Sequence, residues 1–222
     1  MKYRIPSCPL DLAEIRRYAG LRSSDFDNER IRDAARLVQL LAEGCGSVCY
    51  YPYDNIQHTI VNDGLSLVLT GKSIRRHLDG AKEVAVLAVT VGEAVEHAIE
   101  EAFTDGNYSH GLLLDAAATT AVEMAADWLN HQIDTAAQKR GLSTAFRFSP
   151  GYGDWQITVQ DDIVRLAQGD TIGIRATEAS MLLPRKSVTA VIPLRDYPTE
   201  PCATGCQTCP QKNCLSRKET TQ

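Results

Sequence analysis

The most constraining feature of the chain is the apolar run from Val84 to Val91, which overlaps the strand-like stretch Glu83-Val-Ala-Val-Leu-Ala-Val-Thr90. It has the length of a strand and falls far short of the ~20 residues that span a bilayer. A strand this apolar is buried and needs cover from the rest of the fold. The surrounding patterns supply helices for that purpose. Leu12, Ile15 and Ala19 recur at helical spacing between Pro9 and Gly20, and Ile31, Ala34, Ala35, Val38 and Leu41 do so between Asp27 and Glu43. Further helices are predicted at Ser73–Leu78, Glu93–Phe103 and Gly111–Lys139, the last with Val122, Ala125, Leu129, Ile133 and Ala136 as its apolar stripe and Asp127, His131 and Asp134 elsewhere on its surface. One more is expected at Val159–Gln168, capped by Thr158 with Asp161 three residues on.

Strand-like stretches lie at 65–71, 144–148, 171–177 and 187–194, the last two with clean alternation. Helices and strands are thus interleaved, with a strand-rich final third, which favours α+β over a doubly wound parallel sheet. A chain of 222 residues suits one domain, or one domain with an appendage. We place the domain at residues 1–197 and an appendage at 198–222, beyond the linker that begins Tyr197-Pro198.

Net charge is -5 with no basic run longer than a pair, a poor pattern for binding nucleic acid. With no apolar segment behind the N-terminal charges and no membrane-length run, the expected compartment is the cytoplasm. Cysteine usage agrees. Four of the seven cysteines, Cys202, Cys206, Cys209 and Cys214, crowd into the appendage instead of spreading as a disulfide framework would. Four soft ligands at this spacing suit tetrahedral zinc or an iron-sulfur cluster, and reduced cysteines that bind nothing are the third reading. Cys45 and Cys49 flank the stop at Gly44 and Gly46 with three residues between them, a spacing that leaves room for them to lie close in space.

The stretch Arg147-Phe-Ser-Pro-Gly-Tyr-Gly-Asp-Trp155 stands out next. Two glycines around a tyrosine, after a proline, suit either a structural turn or a backbone approached closely by a ligand. Arg147 at a strand end can grip a carboxylate or phosphate, and Tyr152 and Trp155 offer flat apolar surfaces. Glu123, beside the apolar stripe of the longest helix, is either a cleft carboxylate that attracts a cation or an exposed helix residue. Asp115 lies eight residues earlier on roughly the same side, and Glu178 carries the same two readings. The five histidines are scattered and form no metal motif, and no Ser-His-Asp or Cys-His pattern supports covalent hydrolysis.

Several blocks, taken in order, carry a resemblance. They are Glu14–Gly20, Leu67–Ile74, Val86–Gly92, Leu114–Ala116 with Ala121–Glu123, Arg147–Trp155, Thr177–Met181 and Pro184–Val188. From about Leu10 to Tyr197 the chain resembles the reactivation (activation) domain of vitamin B12-dependent methionine synthase, in a free-standing bacterial form. The resemblance implies a curved antiparallel sheet with flanking helices that binds S-adenosylmethionine. It implies that the domain presents the sulfonium methyl to a cobalamin that has oxidised, with one electron from flavodoxin or a ferredoxin-type reductase. By the same resemblance Arg147 would hold the methionine carboxylate and Glu123 the ligand's positive end. The backbone of Ser149, Pro150, Gly151, Tyr152 and Gly153 would contact the ligand, and Tyr197 would supply a late pocket tyrosine.

Two departures qualify what the resemblance implies. The chain has no Asp-x-His-x-x-Gly run to ligate cobalt from below, so the cobalamin-binding methyltransferase or corrinoid protein is expected in trans. The four-cysteine tail is an addition, and an iron-sulfur cluster there would deliver the electron. The function expected is an accessory protein for reductive methylation, whose enzyme status rests on whether methyl transfer is retained. Its alternatives are a non-catalytic corrinoid-protein docking protein and a metal or redox sensor built on the tail.

Overall fold

A computed structural model of the protein describes residues 1–21 and 26–197, and all that follows concerns those residues. The four tail cysteines and the appendage from 198 onward lie outside them. The element order is β1 (Lys2–Arg4), α1 (Leu12–Tyr18), α2 (Asn28–Leu41), β2 (Cys45–Asp54), β3 (Thr59–Ile60), β4 (Leu67–Val68), α3 (Lys72–Leu78) and β5 (Glu83–Thr90). It continues with α4 (Glu93–Thr104), α5 (Tyr108–Lys139), β6 (Ser143–Thr144), α6 (Gln160–Ala167), β7 (Arg175–Ala176), β8 (Leu182–Leu183) and β9 (Ser187–Arg195).

The apolar run predicted as a strand is β5, and it sits at the centre of a seven-stranded sheet of order β4-β3-β2-β5-β9-β6, with β1 also on β2. Every pairing is antiparallel. The strand period of two sends Ala85, Leu87 and Val89 into one core and Val84, Val86 and Ala88 into another. β9 divides the same way, with Ala190, Ile192 and Leu194 on the first side and Val191 on the second. The sheet is therefore covered on both faces, as the composition of β5 requires.

The first face is covered by α1, α2, α4 and α5. α5 is 32 residues long and buries Leu113, Leu114, Leu129 and Ile133 among many alanines, whose small side chains let neighbouring helices approach. Its predicted stripe holds except at the C-terminal end, where Ala137 rather than Ala136 is buried. Asp11 caps α1, accepting a hydrogen bond from the Ala13 N–H at 2.8 Å, and Asp27 caps α2 through the Glu29 N–H at 2.8 Å. The second face is covered by α3, α6 and irregular chain, with Leu69, Ile74, Leu78, Ile163 and Trp155 as its large buried residues. No helix among the described residues is long and apolar enough to cross a membrane.

Two strand expectations that differ share one cause, that alternation reports burial before it reports strand. Ile172, Ile174 and Ala176 do face one core. Yet Gly169–Ile172 is a 3-10 turn, Gly173 at φ +80° ends it, and only Arg175–Ala176 is strand. The strand expected at 65–71 is real only at Leu67–Val68, although Leu65, Leu67 and Leu69 all pack inward. Thr158 does not cap α6; it lies in a 3-10 turn, Ile157–Val159, that leads into the helix without a side-chain cap. Cys45 and Cys49 both sit in β2. Four strand residues span about 13 Å, so the two do not come close.

Candidate functional site

The strand that approaches the site is short. β6 pairs with β9 at only two positions, Ser143 with Arg195 and Thr144 with Leu194. The chain then leaves the ladder and returns at Phe148, which exchanges two backbone hydrogen bonds of 2.9 Å with Val191. That bridge fixes the direction of two side chains. Phe148 enters the second core against Trp155, with ring centroids 6.1 Å apart. Its neighbour Arg147 points the other way, to α5.

There the guanidinium meets two carboxylates. Arg147 Nη2 donates to Glu123 Oε2 at 2.6 Å and Nη1 to Asp127 Oδ1 at 2.5 Å. Glu123 and Asp127 are one helical turn apart, so α5 presents both to the same fork. The Arg147 side chain is 20% exposed, Glu123 39% and Asp127 66%, so the cluster opens outward from the arginine. Burial by itself lowers the Arg147 pKa; hydrogen bonding and attraction from Asp127 and Glu123 outweigh it, and the net shift is upward. One cation faces two anions here.

The turn beyond Phe148 is built from the glycines that stood out in the sequence. Gly151 has φ +88° and Gly153 φ +57°. A Cβ on Gly153 would lie 2.7 Å from Ser73 Oγ, so the position needs glycine for space as well as for φ. Tyr152 N–H donates to Ser149 C=O at 3.1 Å, Trp155 N–H to Tyr152 C=O at 3.0 Å, and Gly151 N–H to Trp155 C=O at 2.9 Å. Pro150 and Trp155 are buried, while Gly151, Gly153 and Tyr152 are exposed. The Tyr152 ring stands edge-on to Phe148 at 5.7 Å and keeps a free face.

Asp154 clamps the turn to α3. Its carboxylate accepts the Lys72 and Ser73 N–H groups at 2.7 and 2.8 Å, which holds its pKa down at about 2. Farther along α3, His77 packs on Phe146 and Phe148, with centroids 4.3 and 5.0 Å away. Burial, then Arg195, lower its pKa to about 4.

The remaining sequence candidates are distributed around this centre. Asp115 does not share the Arg147 cluster; it pairs with Lys186 at 2.8 Å, whose Nζ also donates to Thr119 Oγ1 at 2.8 Å. Glu178 is exposed in the turn between β7 and β8 and makes no hydrogen bond or ion pair among the described residues. Tyr197 reaches Asp79 C=O at 3.4 Å, at the end of α3 away from Asp154. The sequence reading placed Asp127 on the surface; its spacing of four from Glu123 was the available signal. Nothing in the sequence marked α3 as the partner of Asp154, or His77 as a neighbour of the turn, since these contacts cross about 80 and 70 residues of chain.

A cavity of about 410 Å³ lies elsewhere, between the N-terminal segment, the end of α2 and an adjacent face of α5, with Ile5, Leu10, Met124 and Trp128 in its walls. We place the candidate site at Arg147 instead, because charged groups and positive-φ backbone converge there, whereas most of that cavity's wall is apolar. Among the described residues no group of three or more His, Cys, Asp or Glu side chains is arranged to hold a metal ion.

No family model matches the chain, and no curated protein matches it. Among solved structures it is similar to the crystal structure of the MetH reactivation domain bound to AdoHcy. The TM-score is 0.58 at 13% identity, over 90% of this chain and 79% of the other. At that identity the likeness is one of fold, the α+β fold of the methionine synthase activation domain.

Proposed function

We propose that this protein binds S-adenosylmethionine and serves as an accessory protein for the reductive methylation of a cobalamin-dependent methyltransferase supplied in trans. One observation carries the reading. Arg147 and Glu123 meet beside the Ser149–Gly153 turn, on a fold that in the MetH reactivation domain holds AdoHcy.

The residues fit such a ligand chemically. Arg147 offers a planar fork for an α-carboxylate, and Glu123 a negative charge for a sulfonium. Tyr152 offers an exposed face at the rim, and a cation over a tyrosine face is attracted by the ring. The turn at Gly151 and Gly153 lets backbone come close to a flat ligand because no Cβ stands in the way. Glu178 and Tyr197 make no contact with the Arg147 cluster and would join only as a larger ligand or partner covers the turn.

The methyl acceptor belongs to the partner, and cobalt in its reduced state brings its own nucleophilicity. This chain's part is to hold the sulfonium end in position and keep water from it. Cys202, Cys206, Cys209 and Cys214 would hold an iron-sulfur cluster or zinc, and a cluster would pass the electron from a flavodoxin- or ferredoxin-type donor.

Calorimetry of anaerobically purified protein with S-adenosylmethionine tests the binding. A micromolar dissociation constant, about -8 kcal/mol, that is lost in Arg147→Ala is the expected result. A folded wild-type protein that takes up no heat from the ligand would overturn the proposal. For the tail, removal of residues 202–222 is expected to preserve methyl transfer with a chemical reductant and abolish it with the protein donor.

A further inference from the structure

The cluster is over-supplied with negative charge: one guanidinium is shared by two carboxylates, both within 2.6 Å. Glu123 is the inner of the two and Asp127 the outer, 66% exposed and bound to the fork through a single contact. A ligand carboxylate that takes the open end of the guanidinium competes with Asp127, which holds Nη1 there through that one contact. Displacement alone would exchange one ion pair for another and gain little. The exchange becomes favourable if the displaced carboxylate finds a cation, and a zwitterionic α-amino acid end carries one a few ångströms from its own carboxylate.

We infer that Asp127 is the residue that recognises the ligand's α-ammonium group, so that the Arg147–Asp127 pair opens around a zwitterion and closes one ion pair into two. This rests on the proposed ligand reading and assigns a residue to one part of that ligand. Asp127 holds Nη1 in the free protein and moves to the ammonium when the carboxylate takes its place. Glu123 keeps Nη2 throughout, so the arginine never stands unpaired in its partly buried position. The arrangement selects ligands that carry both charges on one carbon over ligands that carry neither.

The test measures binding of S-adenosylhomocysteine and of 5′-methylthioadenosine, which lacks the amino acid end, to wild type and to Asp127→Asn. The expected result is a loss of about tenfold or more for S-adenosylhomocysteine in the variant, with 5′-methylthioadenosine unchanged and Asp127→Glu recovering part of the loss. A second measurement starts from the wild-type protein, so it does not rest on the variant alone. On wild-type protein, S-adenosylhomocysteine lacking its α-amino group should bind weaker by a similar factor, and Asp127→Asn should weaken that analogue no further. Wild-type binding that Asp127→Asn leaves unchanged or tightens overturns the role of Asp127 while the ligand reading stands. Failure of wild type to bind S-adenosylhomocysteine overturns both.

Discussion

The two faces of the central sheet are built from the same strands and differ in what covers them. Over Ala85, Leu87 and Val89 lie four regular helices, dominated by the 32-residue α5. Over Val84, Val86 and Ala88 lie two short helices, 3-10 turns and the Arg147–Trp155 turn, with Trp155 as the largest fully buried side chain. The helical face is held by repeated small contacts and supplies two carboxylates at one-turn spacing. The irregular face is held by a few large rings and by backbone hydrogen bonds that cross long stretches of sequence. The candidate site lies where the two meet, with Arg147 directed to one face and Phe148 to the other. Stability and binding should therefore separate on the helical face and stay coupled on the irregular one.

Large truncations test that separation most directly. Trp155→Ala should destabilise the protein by about 3–5 kcal/mol and weaken ligand binding as well, because the turn closes on that ring. Leu129→Ala on α5 should destabilise by about 2–5 kcal/mol while the folded protein binds with unchanged affinity. Chemical denaturation with calorimetry on each variant checks the pair, and equal effects on binding would erase the contrast.

A pH effect of similar size should belong to the irregular face alone. His77 titrates at about 4 when folded, against about 6.5 when unfolded. Between those values the unfolded chain binds more protons, so stability is fully present above pH 6.5 and falls as the pH drops to 4. The fall should reach about 3 kcal/mol, and urea midpoints across this range should lose that component in His77→Leu. Asp154 adds a lower window: its folded pKa of about 2 lies below the ordinary 3.8, so its contribution fades as pH falls from 3.8 to 2.

Backbone conformation gives a smaller effect. Gly153→Ala places a Cβ against Ser73 at a φ of +57° and should destabilise by about 1–3 kcal/mol, with binding weakened at the same time. The smallest effect belongs to a remote cap. Asp11→Ala removes the α1 cap and should destabilise by about 1 kcal/mol, with no change in affinity.

The contrast between the faces also explains which parts of the fold were legible. The positions of α1, α2, α3, α4 and α5 follow from local periodicity, and β5 and β9 match their predicted spans to within a residue. On the irregular face the sequence marked which residues are inward and mistook the path between them, as at 171–177 and 65–71. β1 carries too few residues to leave a pattern, and its pairing with β2 was invisible. In the candidate site, Arg147, Glu123 and the turn glycines stood out because unusual residue types stood in unusual places, and the structure brings Arg147 and Glu123 together beside the turn. Asp127 was read as surface, since a carboxylate on a helix shows its partner only when the helix is docked.

By itself the sequence determined the apolar centre of the sheet, the helices that must cover it, and the glycines that only a special turn requires. These are local properties, set by side-chain period and by allowed φ, and they need no partner to be expressed. Tertiary structure alone decided that Arg147 is held by two carboxylates, that Asp115 belongs to Lys186, that Asp154 clamps the turn to α3, and that His77 stands beside it. Those facts depend on which distant segments the sheet brings within hydrogen-bonding reach, and charge pairing is decided by distance in space rather than by separation along the chain.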